Sequence, residues 1–239
     1  MTKLAPTLFV CVVLLSAQTP EWKALKYTPL RPLTFPDVDE FTLPNGMHVM
    51  LLESHTLPLI RGTAVVRTGN LFDPPDEVGL ASVTGAVLRS GGTPDKTGDQ
   101  IDEELENVAA SIESGIGEST GTVSFSCLKE NKDQVLGLFK QVITTPEFRQ
   151  NKVDLIKQQM MSEIMRRNDD AGEIAQREFT DTLYGRNNSY GWAEEIGTVA
   201  KIQRPDVQAF YRRYFFPSNI LLAVQGDFDH GAMKARIKK

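Results

Sequence analysis

The chain has 239 residues, of which 41 % are apolar and 24 % charged. That balance belongs to a folded globular chain and excludes a disordered tail, a collagen and a disulfide-dense mini-protein. A net charge of −5 argues against a general nucleic-acid binder. Three histidines and two cysteines leave few candidates for any metal or nucleophilic centre.

The first 18 residues, MTKLAPTLFVCVVLLSAQ, place Lys3 ahead of the apolar run 8–15 and the small residues Ser16 and Ala17. This is the layout of a secretory signal peptide, and the run is too short to span a bilayer. A buried N-terminal strand is the other reading of the same residues. Cleavage near Ala17 removes Cys11 and leaves Cys127 with no internal disulfide partner. The expectation is an exported protein, periplasmic or extracellular, without stable membrane insertion. Residues 19–37 are rich in proline and read as a leader arm. A single domain is expected across 38–235.

Two strands, 40–43 and 47–53, flank Asn45-Gly46, a hairpin signal. A β-rich run over 59–68 follows. The polar turn Asp73-Pro74-Pro75-Asp76 precedes a helix over 78–89, which Ser90-Gly91-Gly92-Thr93-Pro94 stops. The spacing of Ile101, Leu105, Val108 and Ile112 predicts a helix over 97–111, with a loop over 115–121. Residues 122–128 alternate as a strand with Val123, Phe125 and Cys127 on one face. A helix over 132–143 ends before Pro146. A long helix is predicted over 150–183, a loop over 185–191, a short helix over 197–202 and a helix over 204–214 with Pro205 in its first turn. Residues 219–226 form an apolar strand. Strands and helices do not alternate one-to-one. The fold class is therefore α+β, a mostly antiparallel sheet packed against helices.

Five blocks in this order are similar to the pitrilysin/insulinase-type zinc peptidases, which include mitochondrial processing peptidase. They are FTLPNGMHVMLLES at 41–54, VVRTGNLFDPPDEVGLA at 65–81, SGGT at 90–93, YGWAEEIGT at 190–198 and YFFPSNILLAVQGDFD at 214–229. The family's chemistry rests on H-x-x-E-H in a helix. Positions i and i+4 share a helical face, so two imidazoles hold one zinc, and the intervening glutamate acts as base on the metal-bound water. The resemblance places this motif at Ser82, Gly85 and Ala86, so both histidine ligands and the base are missing. Glu163, with 76 residues between it and Ala86, resembles the family's third ligand. Alone it reads better as a helix carboxylate paired with Arg166 or Arg167. Asp170 sits at another acidic position common in the family. His48, His55 and His230 lack ligand spacing and read as surface or packing residues. Ser82 has neither a nearby histidine nor an S-x-x-K pattern, Cys127 reads as a buried structural thiol, and Gly115, Gly117 and Gly121 make no phosphate loop.

The resemblance implies a fold built for zinc proteolysis, here without catalytic residues and without a cofactor. In the family, subunits lacking the motif pair with active homologues, and two halves enclose a chamber for unfolded peptide. The leading reading is a non-catalytic partner of an active peptidase carrying an intact motif. The resemblance further identifies 120–128 with the family's substrate-binding edge strand, so Thr120, Thr122, Ser124 and Ser126 are the candidate peptide-binding residues by β-augmentation. Plain sheet packing is the other reading of that strand. A structural scaffold without a role in proteolysis, and an active peptidase with rearranged ligands, are the alternatives for the whole.

Overall fold

Asn45 and Gly46 turn the chain between β1 (Asp39–Thr42) and β2 (His48–Glu53). The Asn45 side chain accepts from the Met47 amide at 3.1 Å, and Gly46 takes a left-handed φ of 88°, a conformation glycine adopts without steric penalty. This computed structural model describes residues 27–32 and 35–238. The signal-like segment and residues 19–26 of the expected leader arm lie outside the described residues. Residues 27–32 are exposed and carry no regular secondary structure, and the folded unit begins at Pro36.

After the hairpin come β3 (Leu59–Val66), α1 (Leu80–Ser90), α2 (Gly98–Glu106), β4 (Ser111–Ile116) and β5 (Gly121–Leu128). Then follow α3 (Lys132–Thr144), α4 (Gln150–Arg166), α5 (Ala171–Tyr184), α6 (Ile196–Lys201), α7 (Arg204–Tyr214), β6 (Ile220–Gly226) and α8 (His230–Ile237). The six strands form one mixed sheet in the order β1-β2-β6-β3-β5-β4. Only β2 and β6 run parallel; the other neighbours are antiparallel. The fold is α+β, as the sequence implies.

Alternation decides which face is covered. Ile60, Ala64 and Val66 of β3, Val123, Phe125 and Cys127 of β5, and Leu222 and Val224 of β6 are all buried, while the intervening residues are at least partly exposed. The buried face packs on the helices: Phe125 meets Phe139 of α3 edge to face at 4.8 Å, a preferred aromatic geometry. Cys127 is buried, and burial pushes its thiol up to about 11.

Three elements differ from the sequence pattern. The helix predicted over 97–111 stops at Glu106, and Ala109 takes a φ of 49°. The chain then enters β4, so Ile112 and Ile116 are buried strand residues, not a helical stripe. The helix predicted over 150–183 breaks between α4 and α5. There Asp170 caps α5 by accepting from the Glu173 amide at 2.9 Å, an arrangement that favours a new helix start. Helix α8, capped by Asp229 accepting from the Ala232 amide at 2.7 Å, adds an element after the last strand.

A charged network ties the ends of β2 and β6 to α8. His55 Nδ1 lies 2.5 Å from Asp227 and Nε2 lies 2.7 Å from Glu53. A neutral imidazole carries one N–H, so two carboxylate partners require the charged ring. Asp227, then Glu53, accordingly raises the His55 pKa above its ordinary value. Lys129 and His55 together hold Asp227 below the usual carboxylate range. His230 and Lys234 both reach Asp39, at 2.9 and 2.6 Å, which fastens α8 to the edge strand β1. Because folding raises the His55 pKa, its contribution to stability is full below its unfolded value of about 6.5 and is lost as pH rises through the folded value. Urea unfolding of the wild type and His55→Gln between pH 6 and pH 9 tests this. The wild-type advantage is expected at the acid end and should shrink toward the alkaline end; parallel pH profiles would count against the network.

Candidate functional site

The loop ahead of α1 aims its acid at the helix start. Asp73 is 4 % exposed and accepts from the Gly79 and Ala81 amides, both at 2.8 Å. Those N–H groups lack helical partners, so the carboxylate satisfies them and complements the helix dipole. Burial still pushes Asp73 up to about 6, against the pull of the two amides, and the charge of Glu194 adds to the rise.

One turn on, Ser82 is half-buried. Its hydroxyl donates to Glu194 Oε1 at 2.6 Å and approaches Asn70 Oδ1 at 3.4 Å. Glu194 is set by Arg167, whose guanidinium donates to the Glu194 carbonyl at 3.0 Å and to both Glu195 carboxylate oxygens at 2.9 Å. An open cleft of about 610 Å³ lies beside these groups, lined among others by Asn70, Glu163, Arg166, Arg167, Arg177 and Glu194. Glu163 thus shares a cleft with the partner of Ser82. The pairing expected for Glu163 does not form among the described residues, because Arg167 turns to Glu195 instead.

Gly85 faces elsewhere. A Cβ built on it would lie 2.4 Å from the Ile116 amide nitrogen and 2.8 Å from the Gly115 carbonyl carbon. The α1 backbone therefore rests directly on that of β4. Ser114 of β4 reinforces the contact: its hydroxyl donates to the Gly85 carbonyl at 2.7 Å and accepts from the Arg89 amide at 3.3 Å. The Arg89 guanidinium pairs with Asp102 of α2.

These residues do not fit a zinc ion. The Ser82 hydroxyl is already committed to Glu194, Ala86 offers a methyl group, and position 85 has no room for a side chain. What remains on the cleft is three carboxylates, Glu163, Glu173 and Glu194, interleaved with Arg166, Arg167 and Arg177 and without an imidazole, a lining unlike the convergent nitrogen and oxygen donors zinc takes. Among the described residues no His, Cys, Asp and Glu side chains gather into a metal-binding group. None of the three histidines lines the cleft.

The candidate peptide strand needs correction. Thr122, Ser124 and Ser126 lie on β5, which is paired on both sides, to β3 and to β4. Thr120 belongs to the preceding turn, where its carbonyl accepts from the Gly117 amide at 2.9 Å. A strand with two partners has no free edge to offer. Among the described residues the free edge on this side of the sheet is β4, which the helix-like spacing of Val108 and Ile112 concealed. Sequence reasoning also passed over Asn70, Glu194 and Ser114. Only Asp73, at the head of the Asp-Pro-Pro turn, carried a local signal as an acid preceding a helix.

Residues 49–191 match the family model described as insulinase (peptidase family M16), and residues 201–239 match that of the peptidase M16 inactive domain. A protein of Helicobacter pylori named non-peptidase homolog YmxG is 23 % identical over 199 residues, 82 % of this chain and 44 % of that protein. A probable mitochondrial-processing peptidase subunit beta of Arabidopsis thaliana is 20 % identical over 93 % of this chain and 43 % of its own length. The chain thus spans less than half of these relatives. Among solved structures, a peptidase M16 inactive domain from Pseudomonas fluorescens superposes with a TM-score of 0.78 at 23 % identity, covering 84 % of this chain and 49 % of that one. The periplasmic protease PqqL of Escherichia coli gives 0.73 at 23 % identity, over 84 % of this chain and 23 % of its own.

Two substitutions probe the site. Because folding raises the Asp73 pKa from its ordinary value to about 6, the wild type should gain stability as pH falls through 6. Relative to Asp73→Asn, it should gain about 1 kcal/mol between pH 7 and pH 5, read from urea midpoints at the two values. Gly85→Ala should destabilise the fold by roughly 1–3 kcal/mol through overpacking against β4. An unchanged thermal midpoint would show that the strand yields freely there.

Proposed function

Because the chain belongs to the insulinase family of peptidases, we propose that it is a non-catalytic, peptide-binding member that works beside an active homologue. The observation that carries this reading is the fate of the motif positions. The place of the first ligand is a serine bonded to Glu194, and the place of the base is a glycine closed against β4. Hydrolysis in this family needs a metal-bound water and a carboxylate to deprotonate it, and the motif positions supply neither the imidazoles nor the base.

Peptide binding would use the free edge of β4. An extended segment added there continues the sheet and satisfies its own backbone groups by β-augmentation. Since active members supply the zinc site that this chain lacks, the partner of this reading is a homologue with an intact H-x-x-E-H. Export is part of the proposal: the run 8–15 has the layout of a signal peptide, and a structural relative is named as periplasmic. No helix among the described residues is long and apolar enough to cross a membrane.

Capture of the tagged protein from its native host should recover a homologue bearing the intact motif. Metal emission spectroscopy on the purified chain should find no stoichiometric zinc, and the chain alone should leave a labelled unfolded peptide uncut. One zinc per chain, or cleavage by the chain alone, would sink the reading. Recovery of only unrelated proteins would remove the partner half of it.

A further inference from the structure

The contact between α1 and β4 has the form of an anchor. Within an α-helix the carbonyl of residue i and the amide of residue i+4 bond each other. Here the Ser114 hydroxyl stands between one such pair, donating to the Gly85 carbonyl at 2.7 Å and accepting from the Arg89 amide at 3.3 Å. A side chain of the edge strand thus bonds both members of one rung of the helix, and only a glycine at 85 lets the two backbones come near enough. The end of β4 is held as well: the Asn70 and Leu71 amides donate to the Gly117 and Glu118 carbonyls at 3.0 and 3.2 Å. Edge strands are otherwise the part of a sheet most free to fray, having one neighbour instead of two.

We propose that Gly85 and Ser114 are positioning residues that hold β4 as a preformed platform for an extended peptide. Position 85, where active relatives carry the catalytic base, serves here to fix the strand that the peptide joins. The inference rests on the peptide-binding reading above for its ligand, whereas the anchor stands on contacts within the chain. A strand already fixed loses little conformational entropy when a second strand joins it, so the anchor acts on affinity without touching the ligand.

Hydrogen exchange of the full chain, combined with binding of a fluorescein-labelled 12-residue peptide rich in valine and threonine, tests the proposal. In Ser114→Ala, exchange across 111–116 should rise about tenfold while β3 and β6 stay within twofold of wild type, and peptide affinity should fall several-fold. Ser114→Thr, which keeps the hydroxyl, should restore both. Gly85→Ala should loosen the same segment; should that variant fail to fold, the Ser114 pair carries the test alone. Unchanged exchange in Ser114→Ala would overturn the anchor. Faster exchange with unaltered peptide affinity would overturn the positioning role. Faster exchange in a protein whose wild type binds no peptide would leave the anchor standing, overturn the peptide reading, and end the positioning role with it.

Discussion

The close approach of α1 to β4 is the contact on which the geometry of this site turns. It is made by backbone, at Gly85 on one side and Gly115-Ile116 on the other, so it cannot adjust by rotating a side chain. Fixing it fixes much else. Ile112 and Ile116 reach the core from β4 only in this position, and β4 completes the pairing of β5. The two ends of α1 are held by different means. Asp73 satisfies the amides at its start, and the Arg89–Asp102 pair joins its last turn to α2. A helix held at both ends and pressed on a strand in the middle has one seat.

The electrostatics around the start of α1 follow from that seat. Glu194 links two acidic neighbours: its charge acts on Asp73, and it shares the open cleft with Glu163. The balance of charge is distributed. Asp73 is met by two helix amides, Glu194 accepts from Ser82, and Arg167 joins the end of α4 to the Glu194 carbonyl and the Glu195 carboxylate. The balance is incomplete where burial is deepest: Asp73 is left with a pKa near 6, the mark of a carboxylate whose desolvation outweighs its hydrogen bonds. That imbalance is why the helix start responds to pH.

Most strands were legible in the sequence because their burial is one-sided. Residues 59–66, 121–128 and 220–226 carry apolar residues where the pleat demands them, and Asn45-Gly46 marks its hairpin. Strand β4 was not legible. Its six residues, SIESGI, offer only two apolar positions, and these are four apart, a spacing that suits a helix as well as a strand. What decides between them is β5, a partner beyond the reach of any local window. The break between α4 and α5 was obscured for another reason: Arg167-Asn168-Asp169-Asp170 contains neither proline nor glycine, and its helix-stopping signal is one capping side chain. At the site, the resemblance names Ser82, Gly85 and Ala86 because its motif is local. The partner of Ser82 lies 112 residues away along the chain, and no spacing rule joins the two.

The three positions where the resemblance places the motif are therefore not equivalent. Ser82 and Ala86 are half-buried on α1, and the Ser82 hydroxyl meets the side chains of Glu194 and Asn70, which line an open cleft. Gly85 meets backbone. A larger residue at 82 meets side chains, which can rotate, but any side chain at 85 requires the edge strand to move, and moving it breaks the Ser114 bridge and unseats two core isoleucines. Of these three positions, 85 is thus the one bound into the fold, because its space carries the packing of a strand.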